Sequence, residues 1–393
     1  MDNIDSGVKA RITSVGLNYA KDVALEILAQ RIGDVHIPNQ SGSEGPVDYY
    51  LTKCVDAQGR PKLSAKSCSC DMGHVSISFH GGASSIYNLF SGYVADSLKG
   101  QLQNQLCQLV TQAINDDANK ALATLPVTVD IDSVFLLDYR LVSNATFTPN
   151  YIETYHKGEI YWAKSKTEAP FTPAPFPQFN ETSKMLYLWV SDYTFNSIAY
   201  QAQNNQFLQY NLTQNDLPDS VKPLLNTTCS DICIGKIIPE IGRKYPNTVV
   251  RLDLMSTIEP KVTVTKAGIT LTCGGQVIPY AVLSDNSSAY LMTLNANMTA
   301  GVNVSLSHEK IFANIGQTDI KLHVAKSDVG HIKDAALQFI VDSILKVFVV
   351  PMLNSIGSKG FPLPVTDDIH FVNSSLRFVT DAVLVSTDVH YGA

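Results

Sequence analysis

The side chains that could do covalent or metal chemistry stand apart along this sequence. Nine histidines are spread over 393 residues, and His308-Glu309 lacks the second histidine that an H-E-x-x-H zinc helix needs. No G-x-S-x-G nucleophile turn and no phosphate-cradling P-loop occurs. The chain therefore reads as a non-enzyme with no resident cofactor. The seven cysteines are Cys54, Cys68, Cys70, Cys107, Cys229, Cys233 and Cys273. An odd count leaves at least one outside any set of intramolecular bridges. Cys229 and Cys233 are close enough in sequence to bridge each other. No further Cys or His stands at ligand spacing, so no metal site is expected.

Asparagine carries a different chemistry. Asn39, Asn144, Asn180, Asn211, Asn226, Asn286, Asn297, Asn303 and Asn373 each open an N-x-S/T triplet without an intervening proline. Nine such acceptors suggest passage through the secretory pathway, hence a secreted glycoprotein. The first ten residues, MDNIDSGVKA, have neither a basic n-region nor an apolar h-region. The expectation is a leader missing from this chain. A net charge of −7 argues against nucleic acid as a partner. With 45% hydrophobic and 17% charged residues, the chain can bury a large core.

Long amphipathic elements would have to organise any site. In Asp328–Pro364, Ile332, Ala335, Ala336, Phe339, Ile340, Ile344, Val347 and Phe348 fall at helical spacing. Asp342 and Lys346 form a favourable i,i+4 pair mid-stretch, which argues against a membrane span. Pro351 is expected to kink the helix or end its regular part. Gly16–Ile32 and Ser84–Ala123 read as two further amphipathic helices. Val8–Val15 alternates as a half-buried strand, with Val8, Ala10 and Ile12 opposite Lys9, Arg11 and Thr13. Strands are also expected at Tyr49–Cys54, Pro61–Ser64, Val75–Phe79, Val127–Val134, Phe135–Val142, Ile152–Trp162 and Met185–Val190. A helix follows at about Tyr193–Gln203. From Phe207 to His323 the chain is mostly strand-like, and His370–Phe371, Leu376–Val379 and Ala382–His390 close it. Ala169–Phe179 holds four prolines in eleven residues and reads as a linker between residues 1–168 and 180–393.

The two halves echo each other. Leu125-Pro126-Val127-Thr128-Val129-Asp130-Ile131 follows the first long helix, and Leu363-Pro364-Val365-Thr366-Asp367-Asp368-Ile369 follows the second, agreeing at six of seven positions. Two similar domains joined by a proline-rich linker follow from this.

Several stretches, in order and nearly end to end, carry a family resemblance. They are Gly16-Leu17-Asn18-Tyr19-Ala20, the Cys68–Cys107 segment, Lys157-Gly158-Glu159-Ile160-Tyr161, the linker, the run from Met185 to Asn196, and Lys359-Gly360-Phe361-Pro362-Leu363-Pro364. The chain resembles the bactericidal/permeability-increasing and lipopolysaccharide-binding protein family, which includes cholesteryl ester and phospholipid transfer proteins. The resemblance implies an α+β boomerang of two similar domains. Each is a twisted antiparallel β-barrel with a long amphipathic helix, and the two are joined by a central sheet. It implies a phospholipid in an apolar pocket of each domain. Leu17, Ala20, Ile27, Phe90, Val94 and Leu98 would line the first pocket, and Tyr193, Phe195, Ile332, Ala336, Phe339, Ile340 and Ile344 the second. It places the family's disulfide on Cys68 and Cys107, with Cys70 as the competing partner.

Two departures stand out. Between Pro38 and Cys68 the family carries several more strands and the basic tip of the first barrel, so this first barrel is expected to be incomplete. From Met1 to Val110, nine Lys and Arg face ten Asp and Glu, so no cationic surface replaces the tip. The resemblance implies a secreted lipid-binding, antimicrobial protein of innate immunity. Its partners would be phospholipid, bacterial lipopolysaccharide and the Gram-negative surface. The alternatives are a lipid transport protein without antimicrobial role, or an isoform with an impaired first lipid site.

Overall fold

The structure, a computed structural model, describes residues 5–33, 47–70, 88, 91–332, 334–363, 365 and 368–392. A six-stranded antiparallel sheet draws on both halves of the chain. It contains β1 (Val8–Thr13), β6 (Thr146–Phe147), β7 (Tyr151–His156), β9 (Leu186–Ser191), β17 (Ile369–Val379) and β18 (Ala382–Tyr391), in the order β17-β18-β9-β1-β7-β6. Strand β1 stitches the halves, pairing Val8 with His156 on one side and with Val190 on the other.

The faces of β1 are not those its pattern suggests. Lys9, Arg11 and Thr13 are buried, whereas Ile12 is 40% exposed. The reason is tertiary. The proline-rich segment lies over this face and supplies Phe176 and Phe179, which join Trp189 and Tyr151 around the two cations. Lys9 Nζ sits 4.0 Å from the Trp189 ring centroid, and Arg11 donates to Glu153 and to the Phe179 carbonyl. Aromatic faces and one carboxylate replace water around two buried charges.

The second half builds a long sheet from β10 (Gln209–Leu212), β11 (Val250–Thr265), β12 (Gly268–Val282), β14 (Met292–Ser307), β15 (Lys310–Ser327) and β16 (Phe361–Pro362), in that order, with β13 (Ser288–Tyr290) beside β12. Much of the strand-like run from Phe207 is gathered here into a few long strands. β11 runs through bulges between Ser256 and Lys261, where an extra residue bends the strand without ending it. The segment between β10 and β11 is not strand. It holds 3₁₀ turns, short helices at Ile234–Ile237 and Pro239–Lys244, and the Cys229–Cys233 disulfide.

Among the described residues, the first half contributes smaller sheets. One is the ribbon β2 (Val47–Val55) with β3 (Pro61–Cys70), and the other is β4 (Thr128–Ile131), β5 (Phe135–Asp138) and β8 (Glu159–Trp162). The strand expected over Ile152–Trp162 is broken into β7 and β8, which enter different sheets. The break is Gly158, at φ +62, where a Cβ would lie 2.7 Å from the Gly7 carbonyl carbon. The strand expected at Val75–Phe79 lies outside the described residues.

Among the described residues, four longer helices pack against these sheets: α1 (Ser14–Gly33), α2 (Ser91–Gln112), α3 (Asp192–Asn204) and α4 (Asp334–Gly357). Helix α2 continues through a π-helical stretch, Ala113–Ala118, into Asn119–Ala123. Helix α4 runs through Pro351 rather than ending there. The proline is exposed, so the carbonyl it leaves without a donor faces the solvent side. Each half seals an edge strand in the same way. Asn115 and Asn119 accept from the Ala65 and Leu63 backbone amides on β3, and Asn354 accepts from Ile315 on β15. Gln338 adds a bond to the Ile320 carbonyl.

Candidate lipid-binding cavity

The long sheet does not close on itself. Helices α3 and α4 fill the gap between its edges, and a cavity of about 460 Å³ remains inside. That lies within the usual range of small-molecule sites, roughly 300–1,000 Å³. Its walls are apolar: Leu254 and Val262 from β11, Leu271 from β12, Met298 and Val302 from β14, Ile315 from β15. Alternation along curled strands points every second side chain inward, so strands supply most of the wall. Helix α4 adds Phe348, Val349, Met352, Leu353 and Ile356, and α3 adds Phe195, Ile198 and Ala202. One end is capped by Ile131, Phe135 and Ile160 from the first half. The cap is fastened there by Tyr139 donating to the Pro362 carbonyl and by the Lys359–Asp132 ion pair.

Among the described residues, no Asp, Glu, Lys, Arg or His lines the cavity. Its lining includes the polar residues Gln209, Tyr210, Ser256 and Gln276 and the thiol of Cys273. Burial pushes the Cys273 thiol up to about 11, so it stays protonated and unreactive at neutral pH. Among the described residues, no cluster of three or more His, Cys, Asp or Glu could hold a metal ion.

Of the residues expected to line a second pocket, Phe195 is on the cavity wall. Ile332, Ile340 and Ile344 are packed into the second-half core. Ile340 and Ile344 lie in the first half of α4, which packs against the short helix Ile234–Ile237, and Ile332 lies just ahead of α4. Phe339 is 56% exposed. Tyr193 is buried against Phe171 of the proline-rich segment, with ring centroids 5.7 Å apart. Of the first-pocket set, Leu17 and Leu98 are half-buried while Ala20 and Val94 are exposed, and none lines this cavity. Phe90 and the side chains of Ile27 and Ala336 lie outside the described residues.

The wall residues missed from sequence sit about one to three turns beyond Ile344 on α4, and on the strands. Their apolar spacing is the same as that of core residues, so only the open space beside them separates the two. Helix α4 is long and apolar enough to cross a membrane by length and composition. Here its first half is core and its second half is cavity wall.

Cys68 and Cys107 are bridged, tying β3 to α2. The sequon asparagines Asn144, Asn180, Asn211, Asn286, Asn297, Asn303 and Asn373 are exposed. Asn226 is half-buried, its amide oxygen accepting from Gln214, and Asn39 lies outside the described residues.

A curled antiparallel sheet closed by a long helix around an apolar hollow, hung on a sheet shared with a second half, defines a class of two-part α+β proteins. Comparison with known sequences specifies the class. The chain belongs to the LBP / BPI / CETP family: the family's C-terminal domain profile matches residues 129–391 and its N-terminal domain profile residues 52–117. The chain is 27% identical to the bactericidal permeability-increasing protein of Sebastes schlegelii over 459 residues, covering 99% of this chain and 96% of that protein. That alignment is longer than the chain itself, so the Sebastes protein has residues without a counterpart here. The human lipopolysaccharide-binding protein is 23% identical over 336 residues, covering 86% of this chain and 69% of that protein. A crystal structure of lipopolysaccharide binding protein superposes with a TM-score of 0.67 at 20% identity, covering 99% of this chain and 100% of that one. The likeness is in the fold.

Proposed function

We propose that this chain is an extracellular lipid-binding protein of innate immunity, holding phospholipid in the cavity and engaging bacterial lipopolysaccharide. The observation that carries the lipid part is the cavity, whose walls bear no ionised side chain among the described residues. Two acyl chains bring about thirty methylenes, each worth ~0.8 kcal/mol on leaving water, on the order of 20 kcal/mol in all. A bilayer offers much the same gain. Transfer between membrane and protein is then nearly balanced, which suits a carrier. The lipopolysaccharide part rests on relatives named for permeability increase and lipopolysaccharide binding. Exposed sequons and two disulfides support secretion.

Native mass spectrometry of protein from a secretory host tests the reading. At least one retained phospholipid is expected; two would mean that the first half also holds one. Bare protein that also refuses lipid from vesicles would sink it. Lipopolysaccharide binding at low salt then separates the immune role from a second reading, a lipid carrier without antimicrobial action. That second reading is favoured by the net charge of −7 and the even charge balance up to Val110.

A further inference from the structure

The cavity wall is buried or half-buried almost everywhere. Its exposed lining residues are Phe207, Gln209 and Tyr210, all in the segment that leaves α3 and enters β10. Among the described lining residues, the exposed ones thus cluster on one short stretch of chain.

The two long sides of α4 are fastened differently. Toward β15, Gln338 donates to the Ile320 carbonyl at 2.7 Å and Asn354 accepts from the Ile315 amide at 2.6 Å. Gly357 comes so close that a Cβ there would lie 2.1 Å from the Ala313 carbonyl oxygen. Opening that side would strand backbone groups beside an apolar hollow, which is costly. Toward β10, no hydrogen bond to α4 is seen among the described residues, and Phe348 packs on Tyr210 with ring centroids 4.8 Å apart. Tyr210 is 40% exposed and is held from outside by Asp216, to which its hydroxyl donates at 2.9 Å. Phe207, 41% exposed, leans on Phe135 and Trp162 of the first half. The rim's own side chains are uncharged and mostly aromatic, with the Asp216 carboxylate beside them, the kind of surface that sits at a bilayer's interface without needing anionic lipid.

We infer that lipid enters and leaves through the seam between β10 and α4. Tyr210 and Phe348 are its gate, and the rim at Phe207–Tyr210 is the part that meets the membrane. The inference rests on the lipid reading above and adds the route. Sliding two half-exposed rings apart opens the hollow at its rim, while the amide bonds to β15 keep the far side of α4 in place.

The test uses the full chain loaded with fluorescent phosphatidylcholine and acceptor vesicles of plain phosphatidylcholine. Gln209→Cys and, as the control on the far side, the exposed β15 residue Gln317→Cys are each labelled with a bulky polyethylene glycol maleimide. Unsubstituted protein given the same reagent sets the baseline. Labelling at 209 is expected to slow transfer about tenfold or more, seen in the release rate, with the loaded lipid retained. Labelling at 317 leaves the rate at baseline. Equal slowing at both positions, or none at 209, overturns the route. Lipid content is measured before labelling, so a chain that loads no lipid refutes the carrier reading itself, and the route with it.

Discussion

Lys9 and Arg11 are the least expected residues of the fold, two buried cations sharing Glu153 as their carboxylate partner. Glu153 Oε1 lies 3.4 Å from Lys9 Nζ and 2.8 Å from Arg11 Nη2, and burial holds the Lys9 ammonium below its usual range. Removing the carboxylate leaves both charges to the aromatic rings and, for Arg11, to the Phe179 and Glu181 carbonyls. Glu153→Gln is expected to cost about 3–5 kcal/mol in urea unfolding, the usual penalty for breaking a buried pair from one side. Asp192, in the first turn of α3, is a second strained site. Burial, then the neighbouring Asp381, pushes its carboxyl up to about 6. The unfolded value is near 3.8, so the folded protein binds the proton more tightly. The resulting stabilisation is full below the unfolded value and is lost as pH rises through about 6. Asp192→Asn should therefore melt higher than the parent at pH 7.5, with the gap closing by pH 4.5. Thermal melts across that range would contradict this if the gap grew on acidification.

At the scale of elements, both long helices act as covers for edge strands, and side-chain amides do the fastening. Asn354 is the latch on α4. Asn354→Ala leaves the Ile315 amide without its partner, at a cost of about 1–3 kcal/mol. Hydrogen exchange at Ile315 should speed up while exchange in β12 stays slow; unchanged protection at Ile315 would remove the latch from the account. The two disulfides brace unequal loops. Cys68–Cys107 spans 39 residues and Cys229–Cys233 spans 4. Chain-entropy arguments give roughly 4 kcal/mol for the longer loop and roughly 2 for the shorter. Paired Cys→Ser variants compared by chemical denaturation should keep that order.

For the whole molecule, the shared central sheet makes the halves interdependent. Strand β9 pairs with β1 on one side and β18 on the other, so a fragment starting at residue 180 exposes a strand edge. The same cut removes Ile131, Phe135 and Ile160 from the end of the cavity. Residues 180–393 expressed alone are expected to aggregate or to fail to retain lipid. A soluble fragment that keeps a phospholipid in native mass spectrometry would show that the second half is self-sufficient.

Much of the element list was legible along the chain. The helix from Asp328, the break at the prolines and the echo around Leu125 and Leu363 are short-range patterns, and periodicity reads those directly. The α+β class and the family followed from stretches that keep their order. The cavity wall was not legible. Ile340 and Ile344 have the same apolar spacing as Phe348 and Met352, yet the first two are core and the last two face the hollow. A side chain's type records that it avoids water; whether a neighbouring chain or an empty space meets it depends on where α4 crosses the curled sheet. The burial of both faces of β1 has the same origin. Lys9 and Arg11 read as a solvated face until Phe176 and Phe179, some 170 residues later, fold back over them. Sequence determined the elements and their kinship; the crossing of helix over sheet, and of linker over strand, decided which of their faces became a site.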